Sequence, residues 1–167
     1  MKKITSASQL TRLKKEIRAE QAETQEILVC CGAGCLATGS GAVLEAFQKE
    51  LKRRQLQAKV RPVIKATGCH GLCQYGPTVS FRPSDLFYTK VRPRDIPDIV
   101  EKTVKKGEVV DRLLYQDPVT RKRVKTWKEI PFYSFQTRIA LRNVGQIDPE
   151  DIRDSIARGG YEALVKV

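Results

Sequence analysis

Four cysteines in two short clusters constrain this chain more than any other feature. Cys30 and Cys35 lie in the stretch ILVCCGAGCLATGSG, and Cys69 and Cys73 lie in KATGCHGLCQYGP. From Cys30 the pattern is C-x4-C, a gap of 33 residues, then C-x3-C, with Cys31 beside the first position. Two thiol pairs on glycine-rich loops, far apart in the chain, predict a four-thiolate metal site. Gly32, Gly34, Gly39, Gly41, Gly68, Gly71 and Gly76 flank the cysteines. Small residues let backbone N–H groups point at anionic sulfur. A helix predicted to start near Ser40 would also aim its positive N-terminus at the first loop.

Spacing separates the possible chemistries only in part. A [2Fe–2S] cluster needs four cysteinates, two per iron. Structural zinc also takes four, but its usual chelate loop is C-x2-C or close to it. Here the gaps are four and three, which favours iron–sulfur and leaves zinc as the alternative. A dithiol redox motif would need C-x-x-C, which is absent. Buried cysteines acting as small hydrophobes would not come in paired loops. The chain has one histidine, His70, and a Rieske centre needs two. His70 follows Cys69 and is expected to face solvent from its loop. Cys30 and Cys31 cannot both face one cluster, because neighbours in a strand point to opposite faces.

The remaining motifs exclude more than they support. GAGCLATGSG resembles a nucleotide loop but has Ser40 where a P-loop needs lysine. G-x-G-x-x-G is not matched, and no Ser/His/Asp constellation is present, so the chain alone carries no catalytic group. No stretch approaches the ~18 apolar residues that span a bilayer, and the N-terminus MKKITSASQL has no apolar region of a secretory signal. Cytoplasm is therefore the expected compartment, where thiols stay reduced and clustered cysteines read as metal ligands. The net charge of +12 admits a zinc-stabilised, nucleic-acid-binding module as the second reading. It is spread along the chain, however, without the interleaved aromatics of a single-strand platform or a dense basic helix. It fits docking onto an acidic partner as well as a solvated surface.

Along the chain, residues 6–23 predict a helix capped by Ser6 and Gln9. Its narrow stripe of Leu10, Leu13 and Ile17 cannot fold alone, so it is expected to dock on the following domain or a partner. EILVCC at 26–31 predicts a buried strand. The helix from Ser40 places Val43, Phe47 and Leu51 on one face. AKVRPVIKA at 58–66 predicts a second strand, placed at an edge or bulge by Pro62. PTVSFRP and LFYTKV predict a hairpin about Ser84 and Asp85, with Val79, Phe81 and Phe87 inward. Asp95 and Asp98 open a helix carrying Ile96, Ile99, Val100 and Val104, stopped by Gly107. The order makes an α/β domain over 25–115. Residues 116–130 read as an extended basic linker. A strand at 138–144 and a helix from Asp148–Pro149, with Ile152 and Ile156 inward, follow. These last residues are too few for a core of their own and read as the beginning of a further domain.

VCCGAGCLATGS with TGCHGLCQYGPTVSF resembles the thioredoxin-like [2Fe–2S] ferredoxin domain of NADH dehydrogenases. It is similar to the form fused at the N-terminus of NADH-oxidising flavoprotein subunits of complex I relatives, NAD-dependent and electron-bifurcating hydrogenases and formate dehydrogenases. QTRIALRNVGQIDPEDIRDSIARGGYEALVKV is similar to the opening of the flavoprotein domain that follows in those fusions. The resemblance covers about residues 25–167. It implies a thioredoxin-like α/β fold with an N-terminal docking helix over 1–24 and a C-terminal extension, the start of a truncated flavoprotein domain over 131–167. It implies Cys30, Cys35, Cys69 and Cys73 as cluster ligands, with Cys31 in a non-ligand slot. In that family the tail runs on into a glycine-rich NADH/FMN site and a [4Fe–4S] motif. Neither is present here, so FMN and NAD(P)H are expected on a partner or a further domain. The implied function is one-electron transfer between a [2Fe–2S] cluster and FMN, alongside flavoprotein and iron–sulfur subunits of an NAD(P)H-dependent oxidoreductase complex.

Overall fold

The computed structural model describes residues 3–56 and 62–166. Helix α1 (Ala7–Ala22) is capped by Ser6, whose Oγ accepts from the Gln9 N–H at 3.3 Å. The Gln9 side chain reaches back one residue further than a standard capping box and accepts from the Thr5 N–H at 2.8 Å. Strand β1 (Gln25–Cys30) is buried from Glu26 onward. It feeds a short helix α2 (Ala33–Ala37), which the sequence did not signal, and then α3 (Ser40–Arg53), whose Val43, Phe47 and Leu51 are buried as the helical spacing predicts. Strand β2 (Pro62–Thr67) takes up the later part of the predicted 58–66 strand. Its expected first four residues lie outside the described residues.

β3 (Val79–Arg82) and β4 (Phe87–Tyr88) form the predicted hairpin. Its phase differs in one respect: Tyr88, not Phe87, joins Val79 and Phe81 in the main core. Phe87 is also fully buried, but on the opposite face, against Leu72, Tyr115, Ile130 and Tyr133. Successive strand side chains point to opposite faces, so a strand covered on both sides buries both. α4 (Ile96–Ile99) widens into a π-helical stretch over Val100–Lys105 and stops before Gly107. Asp95 caps its approach, with Oδ2 accepting from the Arg92 N–H at 2.8 Å.

The sheet order is β2-β1-β3-β4, with β1 parallel to β2 and both other pairings antiparallel. β2 is an edge strand, where proline is tolerated. Because β1 and β2 run parallel, in register from Gln25↔Pro62 to Cys30↔Thr67, their following loops leave at one end of the sheet. Cys30 closes β1, and the segments that follow β1 and β2 carry the other four cysteines. Among the described residues, no helix is long and apolar enough to cross a membrane.

The C-terminal third departs most from expectation. Residues 116–130 are not an extended linker. β5 (Tyr115–Gln116) pairs with β6 (Arg123–Val124) around a turn in which Asp117 Oδ1 accepts from the Val119 and Thr120 N–H groups. Ile130 and α5 (Pro131–Ser134) then seat themselves against Phe87 and Leu72. The strand expected at 138–144 is a series of bends and turns. A strand must place its N–H and C=O groups on a neighbour, and none is offered there, so Ile139 and Leu141 stay 75% and 60% exposed. α6 (Ile152–Ala157) starts three residues later than expected, with Asp151 as its cap. Ile156 is buried, but Ile152 is half exposed. α7 (Glu162–Val165) follows. α1 finds its partner within the chain: Leu10 and Ile17 pack on Ile156 and Ala157 of α6. A buried ionic group fastens the same region to the sheet. Lys65 bonds Asp154 and Glu26, and Glu26 also binds Arg82.

Candidate metal centre

Cys30 ends β1, with its N–H donated to the Thr78 carbonyl at 3.0 Å, while the Cys31 N–H goes to Thr67 at 2.8 Å. The strand then sends the two thiols apart. Cys30 lies beside Cys35, whose ionisation it opposes, while Cys31 lies toward Ser40 and Asp148. Cys35 sits on α2, buried. Cys69 and Cys73 are the solvent-facing pair, with sulfurs 3.8 Å apart. A metal with sulfur ligands at ~2.3 Å in tetrahedral geometry sets its thiolates ~3.8 Å apart, so this pair is spaced as two ligands of one metal ion.

Electrostatics ties the two pairs together. Burial pushes the Cys35 thiol up to about 12, and the hydrogen bond and charge of Cys30 push the same way; the Thr78 backbone N–H opposes them, and Cys73 also raises it. Cys69 is raised first by burial, and by Cys73 and Cys30, while the Gly71 N–H at 3.3 Å from its sulfur lowers it. Neighbouring sulfurs thus oppose the ionisation of Cys35 and Cys69. A coordinated metal removes the penalty by deprotonating them outright. Cys31 is raised chiefly by burial and then by Cys30, but feels neither Cys69 nor Cys73.

Glycines make room for the sulfurs. A Cβ on Gly34 would stand 2.9 Å from the Cys73 sulfur, on Gly76 2.8 Å from the Cys35 sulfur, and on Gly32 2.7 Å from the Cys69 Cβ. These contacts knit the first loop to the second. Among the described residues, no group of three or more His, Cys, Asp or Glu side chains is placed to hold a single metal ion.

His70 does not face solvent as expected. It is 3% exposed, edge-on to Phe87 at 5.3 Å, and closed over by Gly145, where a Cβ would stand 2.4 Å from the ring. Its carbonyl accepts from the Tyr133 hydroxyl at 2.5 Å. Burial first, and Arg138 second, hold its pKa down to about 4, so the ring is neutral at pH 7. Nε2 finds no hydrogen-bond partner among the described residues. Sequence reasoning missed Tyr133, Gly145 and Phe132, whose ring stands against Gly71. They lie more than fifty positions from the second cysteine loop, and only the fold brings them there.

Comparison with known proteins matches this geometry. The pattern of the thioredoxin-like [2Fe–2S] ferredoxin family fits residues 9–104. A 2Fe–2S ferredoxin of Clostridium pasteurianum is 38% identical over 79 residues, covering 47% of this chain and 76% of that one. A 2Fe–2S ferredoxin of Aquifex aeolicus is 35% identical over 101 residues, covering 56% and 90%. The crystal structure of the wild-type thioredoxin-like [2Fe–2S] ferredoxin from Aquifex aeolicus superposes with a TM-score of 0.52 at 32% identity, over 57% of this chain and 99% of that one. None of these supports a nucleic-acid-binding module. With its parallel β1–β2 pair and two cysteine loops at one end of the sheet, the chain belongs to the thioredoxin-like [2Fe–2S] ferredoxin family and is an iron–sulfur electron carrier.

Proposed function

We propose that Cys30, Cys35, Cys69 and Cys73 hold the cluster, and that the chain exchanges electrons one at a time with a flavin, FMN, in a neighbouring flavoprotein of an NAD(P)H-dependent multisubunit oxidoreductase. The observation that carries the ligand set is the interlock of the two loops, in which a side chain at Gly34 or Gly76 would crowd the sulfur of Cys73 or Cys35. A [2Fe–2S] cluster supplies reversible one-electron transfer, which a flavin can match by releasing its electron pair singly. The chain's own groups set the environment. The Gly71 and Thr78 N–H groups donate to Cys69 and Cys35, and such bonds favour the anionic sulfur and tune potential. Tyr133 pins the loop through the His70 carbonyl.

The flavoprotein partner is supported by the resemblance of residues 136–167 to the opening of a flavoprotein domain. It is also supported by the apolar side chains that line one cleft with Cys69: Phe132, Ile139 and Leu141 are 48%, 75% and 60% exposed. Exposed apolar groups gathered next to a functional loop mark an interaction surface.

The full chain, purified without oxygen, is expected to contain iron and acid-labile sulfide in equal amounts and to give a paramagnetic signal on reduction. Stoichiometric zinc without sulfide sinks the cluster assignment. Photoreduced FMN should then reduce about two chains per flavin; a chain reducible by dithionite but inert to reduced FMN removes the flavin from the proposal.

A further inference from the structure

A cleft of about 430 Å³ lies between the Cys73–Tyr75 turn, the residues after β4 and the β5–β6 hairpin. Six cations line it: Lys90, Arg92, Arg94, Arg112, Arg121 and Arg123. The one carboxylate on its wall, Asp95, is already engaged, with Oδ1 accepting from Arg112 at 2.6 Å and Oδ2 from the Arg92 N–H. Arg123 spends a donor on the Asp111 carbonyl at 2.7 Å. Among the described residues, Lys90, Arg92, Arg94 and Arg121 have no carboxylate partner. Elsewhere the cations are commonly matched, as in Arg54 with Glu50 and Glu101, or Lys105 with Glu101. Unmatched like charges gathered in one concavity cost self-repulsion and attract anions.

The cleft abuts the metal centre. Tyr75 lies two residues beyond Cys73, in the same turn. Its carbonyl accepts the Lys90 N–H at 2.8 Å, the Lys90 ammonium lies 5.5 Å over its ring, and the ring packs on Tyr115 at 4.8 Å. Whatever occupies the cleft is therefore held against the loop that carries Cys73.

We infer that this cleft docks the acidic face of a redox protein partner, its Asp and Glu side chains paired with Arg92, Arg94 and Arg121. The inference rests on the electron-carrier reading and adds where the partner sits. A carboxylate-bearing protein face fits better than a phosphate ligand or a nucleic acid. The arginines come from three separate stretches of chain, at 92–94, 112 and 121–123. Tyr75 and Tyr115 pack on each other, which leaves no free ring for stacking bases. Guanidinium forks pair with carboxylates two bonds at a time.

The probe is flavodoxin, a small acidic FMN protein, titrated calorimetrically against the full chain at low and high salt. The unsubstituted chain should bind with an affinity that falls as salt rises. The triple variant R92E/R94E/R121E should bind at least about tenfold more weakly and accept electrons from reduced flavodoxin correspondingly more slowly. The neutral triple variant R92Q/R94Q/R121Q should fall between the two, and both should keep the visible spectrum of the cluster. A control with the same charge change on α1 and its approach, K3E/R12E/K15E, should stay within about twofold. Equal losses in the control and the cleft variants, salt-independent binding, or cleft-dependent binding of a single-stranded oligonucleotide without an effect on flavodoxin each overturn the inference. An unsubstituted chain that reduced flavodoxin binds but cannot reduce counts against the flavin exchange under Proposed function, whereas fast reduction unaffected by the cleft substitutions counts only against the docking site.

Discussion

The most informative residues are the neighbours Cys30 and Cys31. Cys30 lies beside Cys35, whereas Cys31 is raised chiefly by burial. Strand alternation, legible in the sequence, sends their thiols apart, and the resemblance assigns Cys30 as the ligand. Cys31→Ser should therefore keep the full iron and sulfide content, whereas Cys35→Ser or Cys73→Ser should lose most of it, read by metal and sulfide analysis and visible absorption. Loss in Cys31→Ser alone would show the register to be off by one. His70 marks the limit of such reading. A polar residue in a glycine-rich loop has every local reason to face water, and its burial is imposed by Gly145 and Tyr133. No local pattern carries that information.

Among elements, those with a strong internal period were legible and those defined by partners were not. α3 was plain from Val43, Phe47 and Leu51, and the Lys52 and Arg53 of its last turn suit the helix dipole. The structure gives that turn a second task. Arg53 Nε and Nη2 bond the Glu50 carboxylate at 2.9 and 2.8 Å, and Arg54 Nε bonds it at 2.5 Å. The Arg53 hydrogen bond, opposed by burial and aided by Arg54, brings the Glu50 pKa down to about 2. A free glutamate in the unfolded chain titrates near ~4.3. The folded state thus holds its proton less tightly, and the group contributes stability that is full above ~4.3 and is lost as pH falls toward about 2. Urea midpoints measured from pH 5 to pH 2 should fall for the unsubstituted chain and fall less steeply for Glu50→Gln. Parallel curves would show that Glu50 is not among the groups driving acid unfolding. By contrast, the 138–144 strand failed because an apolar alternation is only half of a strand. The other half is a free sheet edge, which lies in the fold and not in the segment.

For the molecule as a whole, an α/β domain with a four-thiolate site was readable from the cysteine spacing and the order of elements, and its ferredoxin character from the family resemblance, while the role of the last fifty residues was not. They looked like a linker and the start of something separate, because their polar, turn-rich sequence shows no self-contained core. In the structure they complete surfaces of the ferredoxin domain instead. Ile130 and Tyr133 cover Phe87 and Leu72, Gly145 closes over His70, and α6 covers α1 and brings Asp154 to Lys65. Family members that superpose on only 57% of this chain show that the smaller domain folds without such a tail, so a chain ending at Gln116 should still fold. It should be weaker. Fully burying an aliphatic or aromatic side chain contributes about 1.5–3 kcal/mol, so losing Ile130 and Tyr133 alone should remove about 3–6 kcal/mol from the unfolding free energy. It should also bare the protein around Cys69 to water. Urea unfolding followed by circular dichroism should show a lower midpoint with one cooperative transition retained, and bleaching of the visible absorption in air should be faster than in the full chain. Equal midpoints with equal bleaching rates would mean that the tail lies on the domain without sheltering its metal centre.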